Sequence, residues 1–341
     1  MIENVSVIIP AHNRPERLQR LLDYYKGTGI RVIVPDSSTA PFTGTLDPEQ
    51  VVYLHRPGLH FLLKIKEILP MIATDYVYYC ADDDFTVPEA DGEMVSFLDA
   101  NPGYSCAQGH YLTFTPDDGE VTFTPRYIRN FNCRIGGATA AERLPQERGM
   151  YASMLYGVTR TEVFRRMYEA CFDERGELRF RNLFLAEEFF NHSMMIHGNY
   201  TTLPVFYSAR EQIDGSATET VVPLSVIKNS PAYADEFNGF IRALTLLLAD
   251  REGMAESEAE AIIRRATFAP IDSRQVLLKR RVNAFAGRHS WLPWASRLSV
   301  WRYHQKGLKA VRGMESYPCT FTTPATEAIR RAVFPSVHEK K

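Results

Sequence analysis

The chain has 341 residues, of which 45% are hydrophobic, with a formal net charge of −2 and an isoelectric point near 6.5. Length and apolar content predict two structural units around a sizeable core, and the balanced charge excludes a nucleic-acid binder. The five cysteines (Cys80, Cys106, Cys133, Cys171 and Cys319) are scattered and never form a C-x-x-C pair, which speaks against a disulfide framework or zinc site and for a reducing compartment. MIENVSVIIPAHNR enters a strand with no basic n-region, so no secretory signal is expected. The longest apolar stretch, FIRALTLLLA, is too short to span a bilayer and contains an arginine. A soluble, cytoplasmic protein is expected.

Val5 to Ile9 is a short apolar strand. Asn13 is placed to cap the next helix, with Glu16 as its capping-box partner. In that helix Leu18, Leu21, Leu22 and Tyr25 share one face. Arg31 to Val34 and Val51 to Leu54 read as strands, Phe61 to Ile72 as a helix, and Tyr76 to Cys80 as a strand covered on both sides. Strands alternating with helices of this length predict an α/β fold with a mostly parallel sheet. In such sheets ligands bind beyond the carboxyl ends of the strands. Pro10 to Arg14, Asp36-Ser37-Ser38 and Asp82-Asp83-Asp84 all occupy such ends, and so are expected to converge.

Beyond residue 100 the pattern is mixed, with β-like pieces at Tyr111 to Thr115 and Val121 to Pro125 and a helix from about Glu187. From Pro231 the chain reads as helical: Phe237, Phe240, Ile241, Leu244, Leu247 and Leu248 make one stripe, and Ser257 with Glu260 suggests a capping box. The change near 223–231 divides the chain into 1–225 and a helical, basic 226–341.

No basic residue stands within ten positions of the Asp82-Asp83-Asp84 run. Adjacent carboxylates suit a hard cation such as Mg²⁺ or Mn²⁺, held together with substrate phosphates. Three alternatives stay open at this point. The run is a solvated turn before a helix, a D-x-D-x-T phosphatase nucleophile site built on Asp82 and Asp84, or the diphosphate grip of a nucleotide-sugar site.

The segments VSVIIPAHNRPERLQRLL, IVPDSS, ADDDFTVP and FLAEEFFNHSMMIHG together resemble inverting glycosyltransferases of the GT-A fold, similar to glycosyltransferase family 2, over roughly residues 3–210. Ala81 and His12 depart from the family's usual Asp and Tyr. The resemblance implies a metal-dependent transfer from a nucleotide sugar, a UDP-sugar foremost, to a glycan or lipid-linked acceptor, as in surface polysaccharide biosynthesis. It also implies that Asp36 accepts from the base, with the Pro10, Ala11, His12 and Asn13 backbone and the His12 side chain as the cradle, and that Arg14 belongs to the nucleotide-sugar site. Asp82 would lie by the ribose, Asp83 and Asp84 would hold Mn²⁺ or Mg²⁺, and Lys64 would face the diphosphate. Glu187 or Glu188 would be the general base that inverting transfer requires. A non-catalytic sugar-binding relative is the remaining class.

Arg210 stands before a polar segment, Gln212 to Thr218, suited to closing over a diphosphate with Arg210 as anion ligand. Between residues 270 and 314 lie ten Lys/Arg, one acid (Asp272), and Trp291, Trp294 and Trp301. That mixture fits either peripheral contact with an anionic membrane or a basic face docked on the acidic remainder.

Overall fold

The structure, a computed structural model, describes residues 4–149, 154–212, 222, 224–268 and 323–335. The strands are β1 (Val5–Ile8), β2 (Arg31–Asp36), β3 (Val51–His55), β4 (Tyr76–Tyr79), β5 (Phe85–Thr86), β6 (Tyr104–Asp117), β7 (Glu120–Arg126), β8 (Arg134–Ile135), β9 (Val158–Arg160) and β10 (Asn199–Glu211). Their order in one sheet is β3-β2-β1-β4-β9-β6-β10-β5, with β7 beside β6 and β8 beside β10. The expected α/β class is found. β3, β2, β1 and β4 run parallel, and the second half is mixed, with β9 antiparallel to both neighbours and β10 parallel to β6.

Strand residues alternate between the two faces, which is why the apolar runs are continuous. Val5, Val7, Val32, Val34, Tyr76 and Tyr78 belong to one core, and Ile8, Ile33, Val77 and Tyr79 to the other. Helix α1 (Pro15–Tyr25) covers the first face with Leu18, Leu21, Leu22 and Tyr25. Tyr76 and Tyr78 on that face donate to Asp99 (2.5 Å) and Asp91 (2.8 Å) of α3 (Pro88–Ala100). The tyrosines of the strand thus bury their rings while their hydroxyls find acceptors. On the other face lie α2 (Phe61–Ile68), α4 (Ala140–Gly149), α5 (Thr161–Ala170) and α6 (Leu183–His197).

After a short α7 (Leu224–Ile227), helices α8 (Ala234–Glu252) and α9 (Glu256–Phe268) put Phe237, Phe240, Ile241, Leu244, Leu248 and Ile263 into the same core as Phe189 and Phe190 of α6. Gly239 makes the close seating of α8 possible: a Cβ there would lie 1.8 Å from the Arg179 carbonyl oxygen. A last helix, Pro324–Val333, packs on the α1 side through Ile329. No helix among the described residues is long and apolar enough to cross a membrane. Cys80, Cys106, Cys133 and Cys171 are buried free thiols.

Several local expectations are corrected. Asn13 does not cap α1. Arg14 is the residue before the helix, Pro15 opens it, and no side chain caps it, because Asn13 sits at φ 54° with its side chain committed elsewhere. Ser257 lies inside α9, which begins at Glu256. Helix α6 begins four residues before Glu187, where the Asn182 side chain accepts from the N–H groups of Phe184 and Leu185. The carboxylates at 187 and 188 are therefore past the first turn, where the helix dipole has little hold on them.

Candidate functional site

The turns after β1 and β2 are tied together. Ala11 pairs with Asp36 as a parallel bridge, and Ser37 N–H donates to the Ala11 carbonyl (3.1 Å). Asn13 N–H donates to Ser38 Oγ (2.7 Å), and Asn13 Oδ1 accepts from Thr39 N–H (2.9 Å). Asn tolerates this left-handed conformation better than most residues. His12 is exposed, with Nδ1 3.1 Å from Ser37 Oγ.

Asp36 closes β2 almost wholly buried. One carboxylate oxygen accepts from Ser38 N–H (2.8 Å) and the other from the Tyr53 hydroxyl (2.7 Å). Burial pushes its pKa up, but the bonds from Ser38 and Tyr53 outweigh burial and hold it below the usual carboxylate value. From α2 beneath, the Lys64 ammonium donates to the Ala11 carbonyl (2.8 Å) and Ser37 Oγ (3.1 Å). Burial lowers its pKa to about 8, against the opposing pull of Asp36 and Asp82.

The charges that the local sequence did not offset are offset by the fold. Arg14 Nη1 lies 3.0 Å from Asp82 and 2.9 Å from Asp83, and Arg17 Nη1 lies 3.3 Å from Asp83. Arg17 and Arg20 both reach Glu211 at the end of β10 (3.4 and 2.7 Å). Arg14, Arg17 and Arg20 stand three residues apart, one side of α1 and its entry, and that spacing was visible in RPERLQR.

Asp84 goes the other way. It is buried, its Oδ1 accepts from Glu211 N–H (3.1 Å), and burial together with Asp83 raises its pKa to about 8. The run is not a solvated cap, since α3 has no side-chain cap. Nor do Asp82 and Asp84 form a phosphatase pair, because Asp84 is turned from the cleft that Asp82 lines. The expected metal pair, Asp83 and Asp84, is likewise separated. Among the described residues no group of three or more His, Cys, Asp or Glu is disposed to hold a metal. With Asp82 and Asp83 already paired to arginines and Asp84 withdrawn, the run as placed offers Mn²⁺ or Mg²⁺ no pair of free carboxylates.

These groups line a cleft of about 490 Å³ at the carboxyl ends of β1, β2 and β4. One wall carries Pro10, His12, Arg14 and Ser37, and Lys64, Asp82 and Asp83 follow; Phe61, Tyr156, Leu183 and Arg210 complete it. Arg210 lies 3.4 Å from the Tyr127 hydroxyl, and Tyr156 and Asp84 raise its pKa despite burial, so it stays cationic. Asn13, Asp36, Asp84, Glu187 and Glu188 are not among the cleft's lining residues. A larger cavity, about 590 Å³, lies between α1 and the helix Pro324–Val333, away from these strand ends.

The two glutamates separate. Leu183, 54% exposed, lines the cleft, and Glu187 stands one helical turn further on the same face. Burial raises the pKa of the cleft residue Tyr156, with Asp84 and Glu187 adding to the rise, which puts Glu187 in its neighbourhood. Glu188 is buried about 100° round the helix. It shares a face with His192, whose Nδ1 lies 2.9 Å from the Glu188 carbonyl oxygen and 3.8 Å from Glu147. Tyr53, Phe61, Tyr156, Leu183 and Glu211 carried no sequence signal of their own. Residues 213–218 and the whole 270–314 segment, with Trp291, Trp294 and Trp301, lie outside the described residues.

No protein-family model matches the chain, and no curated protein matches it. Solved structures with a similar arrangement include a crystal structure of S. aureus TarS 1-349, at 13% identity and TM-score 0.47, covering 90% of this chain and 81% of that one. The same TarS fragment in complex with UDP aligns at 13% identity and TM-score 0.47, covering 99% and 92%. In complex with UDP-GlcNAc it aligns at 12% and 0.42, covering 79% and 88%. Likeness at this level identifies no family.

Proposed function

We propose that this protein is a GT-A-type glycosyltransferase that moves a sugar from a nucleoside-diphosphate donor, a UDP-sugar, to an acceptor hydroxyl. The observation that supports it is the meeting, in one cleft at parallel-strand ends, of the Asp36-buttressed turns, three cations (Arg14, Lys64 and Arg210) and the Glu187 face of α6. The base would lie against the Pro10–Asn13 and Ser37–Ser38 turns. The diphosphate would face Arg14, Lys64 and Arg210, which stabilise the charge growing on it as the bond to the sugar breaks.

Glu187 is the general base. Its carboxylate takes the proton of the acceptor hydroxyl while that oxygen attacks the anomeric carbon; the carbon–oxygen bond to the β-phosphate breaks and the nucleoside diphosphate leaves, with inversion. Glu188 is a core residue. The acceptor is a glycan or lipid-linked hydroxyl, and residues 270–314 would bring the protein to the membrane face where such acceptors are found. Release of nucleoside diphosphate from a panel of UDP-sugars tests the proposal. Turnover of at least one donor, with no hydrolysis of simple phosphomonoesters, is expected. Hydrolysis of phosphomonoesters with every sugar nucleotide inert would overturn it.

A further inference from the structure

A divalent ion at a diphosphate site does two jobs. It cancels the repulsion between acidic side chains and phosphate, and it bridges the two. Here one side chain is placed to do both. Arg14 Nη1 is shared between Asp82 (3.0 Å) and Asp83 (2.9 Å), and Arg17 holds Asp83 from behind (3.3 Å). The rest of the Arg14 fork, Nη2 and Nε, makes no hydrogen bond to the described residues. The side chain is 43% exposed and lines the cleft. A guanidinium anchored at one nitrogen by two carboxylates is pre-organised, and its remaining edge presents parallel donors suited to phosphate oxygens.

The charge balance agrees. Among the lining residues Arg14, Lys64 and Arg210 face two aspartates, Asp82 and Asp83. The third aspartate of the run, Asp84, is withdrawn and buried, its Oδ1 accepting from Glu211 N–H. A cleft of two bare carboxylates would repel a diphosphate and need a metal. This one is already net cationic. A divalent ion would first have to displace Arg14 and Arg17 from Asp82 and Asp83.

Building on the nucleotide-sugar function, we propose that Arg14 takes the place of the divalent cation. Asp82 and Asp83 serve to position its guanidinium, and the donor diphosphate binds between Arg14 and Arg210 without metal. Asp83 is thus a positioning residue rather than a ligand.

The test is titration of the full chain with UDP, by calorimetry, in EDTA and in Mn²⁺, with uridine followed by ligand-observed NMR as the control. UDP should bind in EDTA, and Mn²⁺ should change its Kd by less than about threefold. Arg14→Gln should weaken UDP in EDTA by roughly 10- to 100-fold, the cost of charge-assisted bonds to phosphate, and leave uridine affinity unchanged. UDP binding that requires Mn²⁺, or an Arg14→Gln protein that keeps UDP affinity in EDTA, would overturn the role of Arg14 while uridine binding still supported a nucleotide site. Failure of both uridine and UDP to bind in either buffer would remove the nucleotide site itself, and the proposal with it.

Discussion

The parallel half of the sheet and the mixed half meet at the cleft but are built differently. β3, β2, β1 and β4 all come from the first 79 residues, with α1 between β1 and β2, a loop between β2 and β3, and α2 between β3 and β4. Each brings its polar turn to the same edge because parallel strands end on the same side. The mixed half is assembled from distant pieces: β6 lies beside β10, some hundred residues later, and Arg210, Tyr156 and Leu183 reach the cleft from three separate elements. In the proposed reading, recognition of the donor is concentrated in the first half. The second contributes the Arg210 cation and most of the buried aromatic core, and would contribute the proposed base.

Glutamate 187 is where that division can be broken most sharply. Glu187→Gln should lower transfer by roughly 10²- to 10⁴-fold with UDP affinity retained, whereas Glu188→Gln should act on stability and leave the rate nearly intact. Equal rates in both variants would take the base out of α6.

Phe240 of α8 tests whether the helices after residue 225 belong to the mixed half. It is fully buried against Phe180 and Phe237. Phe240→Ala should cost about 3–5 kcal/mol in denaturant unfolding, in one transition that takes α6 with it. Loss of a separate, C-terminal transition alone would mark residues 226–341 as an independent unit.

On the parallel side, Asp36→Ala removes the acceptor for Ser38 N–H and the Tyr53 hydroxyl. Uridine affinity should fall by roughly 10-fold or more, a loss of the order of one or two bonds to a charged group, with no added dependence on metal. Unchanged nucleoside affinity would remove Asp36 from recognition.

The smallest effect concerns Asp84, which sits where the halves join. Its folded pKa of about 8 lies above the unfolded value of about 3.9. The protonated carboxyl therefore contributes its full stability below about pH 4, and that contribution is lost as the pH rises through about 8. Asp84→Asn keeps an oxygen for Glu211 N–H and does not titrate. Its Tm advantage over the wild type should be near zero at about pH 4 and grow steadily as the pH rises to about 8. Parallel Tm–pH curves would contradict the burial of a titrating Asp84.

The same division explains what was legible in the sequence. Val5–Ile9, the Leu18/Leu21/Leu22/Tyr25 stripe and YVYYC are local patterns, and the strand ends followed from them. The partner of Asp82 was not legible, because Arg14 stands 68 positions earlier and only the crossing of α1 over the strand ends brings it near. Asn13 was misassigned as a cap because its side chain serves a turn between two strands. Glu187 and Glu188 could not be told apart before the helix start at Leu183 set which face looks into the cleft. The burial of Asp84 follows from β10 closing over it, a pairing that no local pattern announces.

Hydrogen exchange with and without UDP, read by mass spectrometry, tests the placement of the donor most directly. Slowed exchange at Ala11–Arg14 and Ser37–Thr39, with residues 328–335 beside the larger cavity unaffected, is the expected result. Protection of 328–335 and the facing side of α1, with the two strand-end turns unchanged, would place the nucleotide elsewhere and contradict the assignment of the cleft.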